Sequence, residues 1–166
     1  HHIALWDNDY RVNPPIRGKE DVDRLIKAIK DGVVDAIATD HAPHSIEDKQ
    51  KNAPGMVGLE TAFKVAYTTL VKSKYIDLKR LSSLLTYGPA RILNLEYGIL
   101  QSGSKANFVI IDIEKESVVN SNDFYSKSKN TAFEGMKFYG EILMTVKDGE
   151  IKYIDDDFKK ERFCDN

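Results

Sequence analysis

The sequence predicts an α/β unit followed by a small β unit. Three observations carry that reading. An amphipathic helix pattern over residues 19–30 lies between two short apolar runs, 3–6 and 33–39. That is the arrangement of a β-α-β unit, and such units build parallel sheets. The second run ends in Asp40-His41-Ala42-Pro43-His44, which sets polar, metal-capable side chains at the C-terminal edge of a strand. In α/β folds that edge is where ligands bind. Beyond Tyr97-Gly98 the pattern changes to β-branched runs separated by turns.

Composition narrows the function classes. The 166 residues are 42% hydrophobic and 30% charged with net charge −2, which is enough for one domain or two small ones. The near-neutral balance gives no electrostatic footprint for nucleic acid or a membrane surface. The single cysteine, Cys164, excludes an internal disulfide framework and fits a reducing compartment, so a cytoplasmic location is expected. No apolar run approaches the length of a membrane span, and no signal-peptide pattern is present. The chain opens directly on strand-like His1-His2-Ile3-Ala4-Leu5-Trp6, so it reads as a piece of a longer protein.

Taken in order, 3–6 is a candidate buried strand and Asp7-Asn8-Asp9 a polar turn. Pro14-Pro15 forbid helix, and Pro14 holds Asn13 in the extended region. Asn13 then either closes a turn or has its amide aimed by a stiff backbone. Over 19–30, Val22, Leu25, Ile26 and Ile29 form one apolar stripe. Glu20 and Asp21 sit in the first turn and Lys27 and Lys30 near the end, as the helix dipole favours, and Asp31-Gly32 stops the helix. Residues 33–39 follow as the strand that carries the motif. Residues 45–54 are polar, without periodicity, and read as a loop beside the site, the kind that forms lids or substrate contacts. In Gly55-Met56-Val57-Gly58, two close glycines either admit a ligand to the backbone or simply turn the chain.

Residues 59–72 read as a second helix with Ala62, Phe63, Ala66 and Leu70 on its apolar face. Asp77 is the N-cap of a third, with Leu78, Leu81, Leu84 and Leu85 inward. Gly88-Pro89 breaks that helix, and Pro89 starts a short fourth through Ile92 and Leu93. Residues 107–113, 138–146 and 151–154 are strands, the last two joined by the hairpin turn Lys147-Asp148-Gly149-Glu150. Asp155-Asp156-Asp157 and the Lys-rich tail read as solvated.

The chemistry of Asp40 stays open at this level. A carboxylate at a strand end is a metal ligand, a general base, or a turn acid. Pro43 prevents His41 and His44 from forming a helical metal-binding pair. A catalytic zinc also needs more donors than this motif provides.

Several segments together resemble the C-terminal part of a class I dihydroorotase, a subgroup of the amidohydrolase superfamily. They are Val12-Asn13-Pro14-Pro15-Ile16-Arg17, Ile37-Ala38-Thr39-Asp40-His41-Ala42-Pro43-His44, Gly58-Leu59-Glu60-Thr61-Ala62, Pro89-Ala90-Arg91-Ile92-Leu93 and residues 126–135. The resemblance implies a (β/α)8 barrel with a small β-sandwich. Residues 1–95 would be the last part of the barrel and 96–166 part of the sandwich and the tail. It implies interconversion of N-carbamoyl-L-aspartate and L-dihydroorotate at a zinc centre of one or two ions. Asp40 corresponds to the family's metal ligand and general base. Asn13 and His44 correspond to side chains that hold the substrate, and Pro54-Gly55 to a segment offering it backbone contacts. An aromatic residue common in the family between Pro54 and Gly55 is missing. The family's remaining zinc ligands, including a His-x-His motif, are expected from sequence ahead of His1. A homodimer is expected for the full-length protein. Two other readings stand beside this one: another cyclic amidohydrolase, such as an allantoinase or hydantoinase, and a non-catalytic dihydroorotase-like scaffold.

Overall fold

The computed structural model describes residues 11–163. The strand expected at 3–6, the turn after it, and Cys164 lie outside the described residues. Among the described residues, five α-helices precede a three-stranded antiparallel sheet, and a sixth helix follows it. No helix among the described residues is long and apolar enough to cross a membrane.

Helix α1, Lys19–Lys30, has the predicted bounds, with acids in its first turn and lysines in its last. Its stripe is only half used. Ile26 and Ile29 pack on the core, while Val22 and Leu25 are 43% and 58% exposed. The next expectation needs correction. Residues 33–39 are not a buried strand: among the described residues they carry no strand ladder, and Val33 is 73% exposed. A parallel strand takes its ladder from neighbours on either side, and none flanks this run among the described residues. The segment is tied to helices instead. Ile37 N–H donates to the Leu84 carbonyl at 3.0 Å, and Arg80 Nη2 donates to the Val34 carbonyl at 2.6 Å.

The polar stretch 45–54 is not all loop. Ile46–Gln50 forms a short helix, α2, capped by Ser45, whose hydroxyl accepts from Asp48 N–H at 3.1 Å. The cap signature Ser45-x-x-Asp48 is present in the sequence, but the run lacks an apolar stripe. The predicted helix over 59–72 is one helical path with three pitches. It opens as a 3-10 turn, Leu59–Thr61, continues as α3, Ala62–Ala66, and widens to a π-helix, Tyr67–Lys72. Helix α4, Leu78–Leu85, is capped by Asp77, which accepts from Arg80 N–H at 2.7 Å, as expected. Leu81 and Leu84 are fully buried, worth about 1.5–3 kcal/mol each. Leu78, expected inward, is 39% exposed. Helix α5, Tyr87–Ile92, contains Gly88 and Pro89 in its first turn; the break comes at Thr86, two residues before the Gly-Pro stop expected from the sequence.

Strands β1, Phe108–Val118, β2, Lys137–Lys147, and β3, Glu150–Ile154, pair in sequence order. Asp148 and Gly149 both have positive φ, 52° and 84°, which is the turn that a two-residue hairpin favours. The acidic start of the tail is solvated, as read, but it is helical. It begins helix α6, Asp156–Phe163, with Asp155 accepting from Phe158 N–H at 3.0 Å; the helix has no buried residue.

The core lies where the helices meet the sheet. Tyr67, Leu70 and Leu81 form its centre, with Ile113 and Tyr139 packed against it from the strands. Gly140 in β2 has φ +96°, and a Cβ there would meet the Phe63 ring at 2.7 Å. The missing side chain lets the stacked Phe63–Tyr67 pair sit on the strand. Beside it, Lys64 pairs with Glu141 at 2.9 Å, and Ser117 Oγ donates to the same carboxylate at 2.5 Å. Neither Lys64 nor Glu141 is well exposed, so this pair is less screened than the surface ion pairs.

Candidate functional site

Residues 35–44 are held from beneath by three glycines. A Cβ on Gly88 would meet the Asp35 carbonyl at 2.1 Å, and one on Gly58 would meet the Thr39 carbonyl at 3.0 Å. One on Gly55 would meet Ala42 Cβ at 2.6 Å and His44 Cδ2 at 3.0 Å. The two close glycines, Gly55 and Gly58, therefore admit another part of the same chain. Between them His41 and Met56 form a parallel bridge, and Ala42 N–H donates to the Met56 carbonyl at 3.0 Å.

Asp40 is exposed and sits at φ +46°, a left-handed backbone that Asp tolerates better than most residues. Among the described residues its carboxylate has no hydrogen-bond or ion-pair partner. The two histidines beside it are committed, each in a definite way. His41 Nδ1 accepts from the backbone N–H groups of Gly58 and Leu59 at 3.2 and 3.3 Å. It caps the helical path that starts at Leu59, which is a structural duty. His44 Nε2 lies 3.0 Å from the Pro54 carbonyl oxygen. A carbonyl only accepts, so Nε2 carries the proton and Nδ1 is the edge left for other contacts.

Pro54 and Gly55 thus lie against His44. Their donors are already spent: proline has no N–H, and Gly55 N–H donates to the Arg11 carbonyl at 2.8 Å. Backbone contacts from this pair to a ligand must come through carbonyl oxygens. Asn13 is exposed, two residues from Arg11, after which the Asn13–Pro14 peptide is cis. His44 lies on the wall of an open groove of about 1120 Å³, which Lys127 and Asn130 also line. Asn13 and Asp40 are not on its lining.

One residue that the sequence reading passed over is Lys49. It is 7% exposed, and its ammonium donates to the carbonyls of Ala53, Gly55 and Arg11 at 3.0, 3.0 and 3.4 Å. Nothing in a polar, aperiodic stretch marks which lysine turns inward.

Comparison with known proteins assigns the fold. Residues 13–152 match the model of the amidohydrolase family. The chain belongs to the amidohydrolase family. This amidohydrolase chain is 57% identical over 155 residues to the dihydroorotase of Clostridium botulinum (strain Eklund 17B / Type B), covering 92% of this chain and 39% of that protein. It is 43% identical to the dihydroorotase of Fusobacterium nucleatum subsp. nucleatum, with 93% of this chain and 39% of that protein covered. The chain therefore spans about two fifths of the length of the curated relatives it matches. Among solved structures, L-hydantoinase (dihydropyrimidinase) from Arthrobacter aurescens superposes with a TM-score of 0.81 at 29% identity, over 87% of this chain and 34% of that one. D-hydantoinase (dihydropyrimidinase) from Thermus sp. gives a TM-score of 0.84 at 23% identity, over 89% and 34%.

Amidohydrolases are generally metal-dependent, so the donors in this chain can be tested against a divalent ion. Asp40 suits one position: an exposed carboxylate, unpartnered among the described residues, on a backbone fixed by its neighbours. The histidines suit it less, since His41 Nδ1 and His44 Nε2 already serve backbone groups. Among the described residues no three His, Cys, Asp or Glu side chains gather closely enough to hold an ion.

Proposed function

We propose that this chain is about two fifths of a dihydroorotase, the zinc-dependent enzyme that interconverts N-carbamoyl-L-aspartate and L-dihydroorotate in pyrimidine synthesis. The observation that carries this reading is the 57% identity to the Clostridium botulinum dihydroorotase across 92% of the chain. In this reading residues 1–95 are the last part of a (β/α)8 barrel, and 96–166 are part of a small β-sandwich and the tail. The full-length protein is a cytoplasmic homodimer.

Asp40 is the zinc ligand this chain supplies. Zinc, when bound, polarises the ring carbonyl and makes bound water more acidic. Asp40 is also the general base. In ring opening, a C–O bond forms at the amide carbon as a water proton passes to the Asp40 carboxylate. The C–N bond then breaks, and the same proton is delivered to the leaving nitrogen. Cyclisation runs this in reverse. His44, pinned through Nε2 by the Pro54 carbonyl, presents its Nδ1 edge to the substrate. Asn13 supplies an amide. Pro54 and Gly55 accept from substrate N–H groups through the remaining lone pairs of their carbonyls.

The likeness to L-hydantoinase favours a second reading, a cyclic amidohydrolase acting on another ring. At 29% identity against 57%, it is the weaker of the two. A non-catalytic scaffold is the third. The deciding experiment is to assay the full-length protein, loaded with zinc, on dihydroorotate, hydantoin and allantoin. Dihydroorotate is expected to be opened fastest, and Asp40→Asn to remove nearly all turnover while the circular dichroism spectrum and melting curve persist. Faster opening of hydantoin would select the second reading. No turnover of any ring would select the scaffold.

A further inference from the structure

Helix α2 is built inside out. Ile46 is 75% exposed, yet Lys49 on the same five residues is 7% exposed. Burying an ammonium is unfavourable unless its three N–H donors find partners. Among the partners within the described residues, the Lys49 ammonium reaches three backbone carbonyls from two distant stretches of chain: Ala53 and Gly55 just beyond it, and Arg11 thirty-eight residues earlier. The Arg11 carbonyl accepts twice, from Lys49 Nζ and from Gly55 N–H. Between the two clamped carbonyls of Ala53 and Gly55 lies that of Pro54, which accepts from His44 Nε2. Two residues beyond Arg11 lies Asn13.

We propose that Lys49 is a positioning residue, whose buried ammonium fixes the Asn13, His44 and Pro54-Gly55 segments relative to one another for substrate binding. The proposal rests on the dihydroorotase reading for what those segments bind, but the clamp itself is a statement about this chain. A lysine suits the task. Its flexible stem lets one compact charge meet several carbonyls, where the planar fork of arginine favours a carboxylate. Removing the charge leaves the part-buried Ala53 carbonyl and the buried Gly55 carbonyl each short of one donor. Relaxation then carries the Pro54 carbonyl away from His44. Asp40 is held by other contacts, through Gly58 and Gly88, so proton transfer is spared while substrate binding suffers.

The test uses the full-length protein with Lys49→Met, which keeps most of the stem and loses the donors, and Lys49→Arg, which keeps a charge. In Lys49→Met, KM for dihydroorotate is expected to rise about tenfold, the scale of one lost polar contact. Zinc content and kcat should stay near those of the parent. Hydrogen exchange at the Gly55 amide, measured by NMR, should accelerate, and Lys49→Arg should recover part of both effects. A merely structural lysine would lower the melting temperature without separating KM from kcat. Unchanged KM with unchanged Gly55 exchange overturns the proposal, as does loss of kcat and zinc in parallel with KM. If Lys49→Met fails to fold, Lys49→Arg decides: a raised KM and faster Gly55 exchange support the clamp, and parental values of both overturn it. If the parent protein does not open dihydroorotate, the functional reading fails, and Gly55 exchange in the variants still decides the clamp.

Discussion

Gly88→Ala sets two effects of opposite sign against each other. Gly88 lies inside helix α5, where replacing glycine with alanine ordinarily stabilises by about 1 kcal/mol, because alanine is the better helix former. The new methyl, however, would stand 2.1 Å from the Asp35 carbonyl oxygen and 3.0 Å from that of Ser83. Real Cβ atoms essentially never come within 3.0 Å of another heavy atom, so α5 or the 35–40 segment must shift by close to an ångström. Both obstacles are backbone, and neither can rotate away. Overpacking of this kind typically costs about 1–3 kcal/mol, and a backbone clash belongs at the upper end. The clash therefore wins, and net destabilisation of about 1–2 kcal/mol is expected. Denaturant unfolding of the full-length protein measures it, with Gly18→Ala as control, since a Cβ at Gly18 meets nothing within 4 Å. Because Asp35 lies five residues before Asp40, turnover should fall more in Gly88→Ala than in an equally destabilised variant of the β1–β2 sheet. An unchanged or raised midpoint would refute the close approach, and with it the claim that α5 holds the Asp40 segment in place.

Two further outcomes follow from the site. His44→Ala and Asn13→Ala should each raise KM while leaving zinc content unchanged by elemental analysis, each losing a polar contact of about 1–3 kcal/mol where the partner is left buried; loss of zinc in either variant would reassign that residue to the metal. The Ser45 hydroxyl, then the Ser45 backbone, hold the Asp48 carboxyl below the ordinary aspartate range. A depressed folded value means the stabilisation is present above the unfolded value and lost as pH falls through the folded one. Ser45→Ala should therefore raise the Asp48 midpoint in an NMR titration and flatten the acid side of the stability curve, and an unmoved midpoint would show that the cap does not act on the charge.

What could be read from the sequence were the features that local rules decide. The cap at Asp77 and the stripe and charges of residues 19–30 depend on neighbours within a turn, and the Asp148-Gly149 hairpin on two φ values. Those elements appear within a residue or two of where they were expected. The features that failed depend on neighbours far along the chain. Residues 33–39 have strand composition, but a ladder needs neighbouring strands, and none flanks them among the described residues. Leu78 has core composition but faces outward. Lys49 looks like any loop lysine and is buried by carbonyls that no periodicity links to it. The site divides in the same way. The Asp40-His41-Ala42-Pro43-His44 motif stands out in one dimension, whereas its support by Gly55, Gly58 and Gly88 does not.

That support explains how one motif holds residues of different duty. His41, His44 and Asp40 are neighbours in sequence, yet each is fixed by a different agent. His41 is held by the amides of Gly58 and Leu59, and His44 by the Pro54 carbonyl. Asp40 has its backbone fixed by the close approach of Gly58 to Thr39 and of Gly88 to Asp35, and its carboxylate is left exposed. A carboxylate that made local hydrogen bonds would be a poorer base and a less available ligand, since such bonds stabilise its charged form. The histidines on the same turn take up the local backbone donors and acceptors. The arrangement thus ties one ring nitrogen of each histidine to the backbone and leaves the Asp40 carboxylate open, which under the proposed dihydroorotase reading keeps the acid available as base and ligand and the Nδ1 edge of His44 available to the substrate.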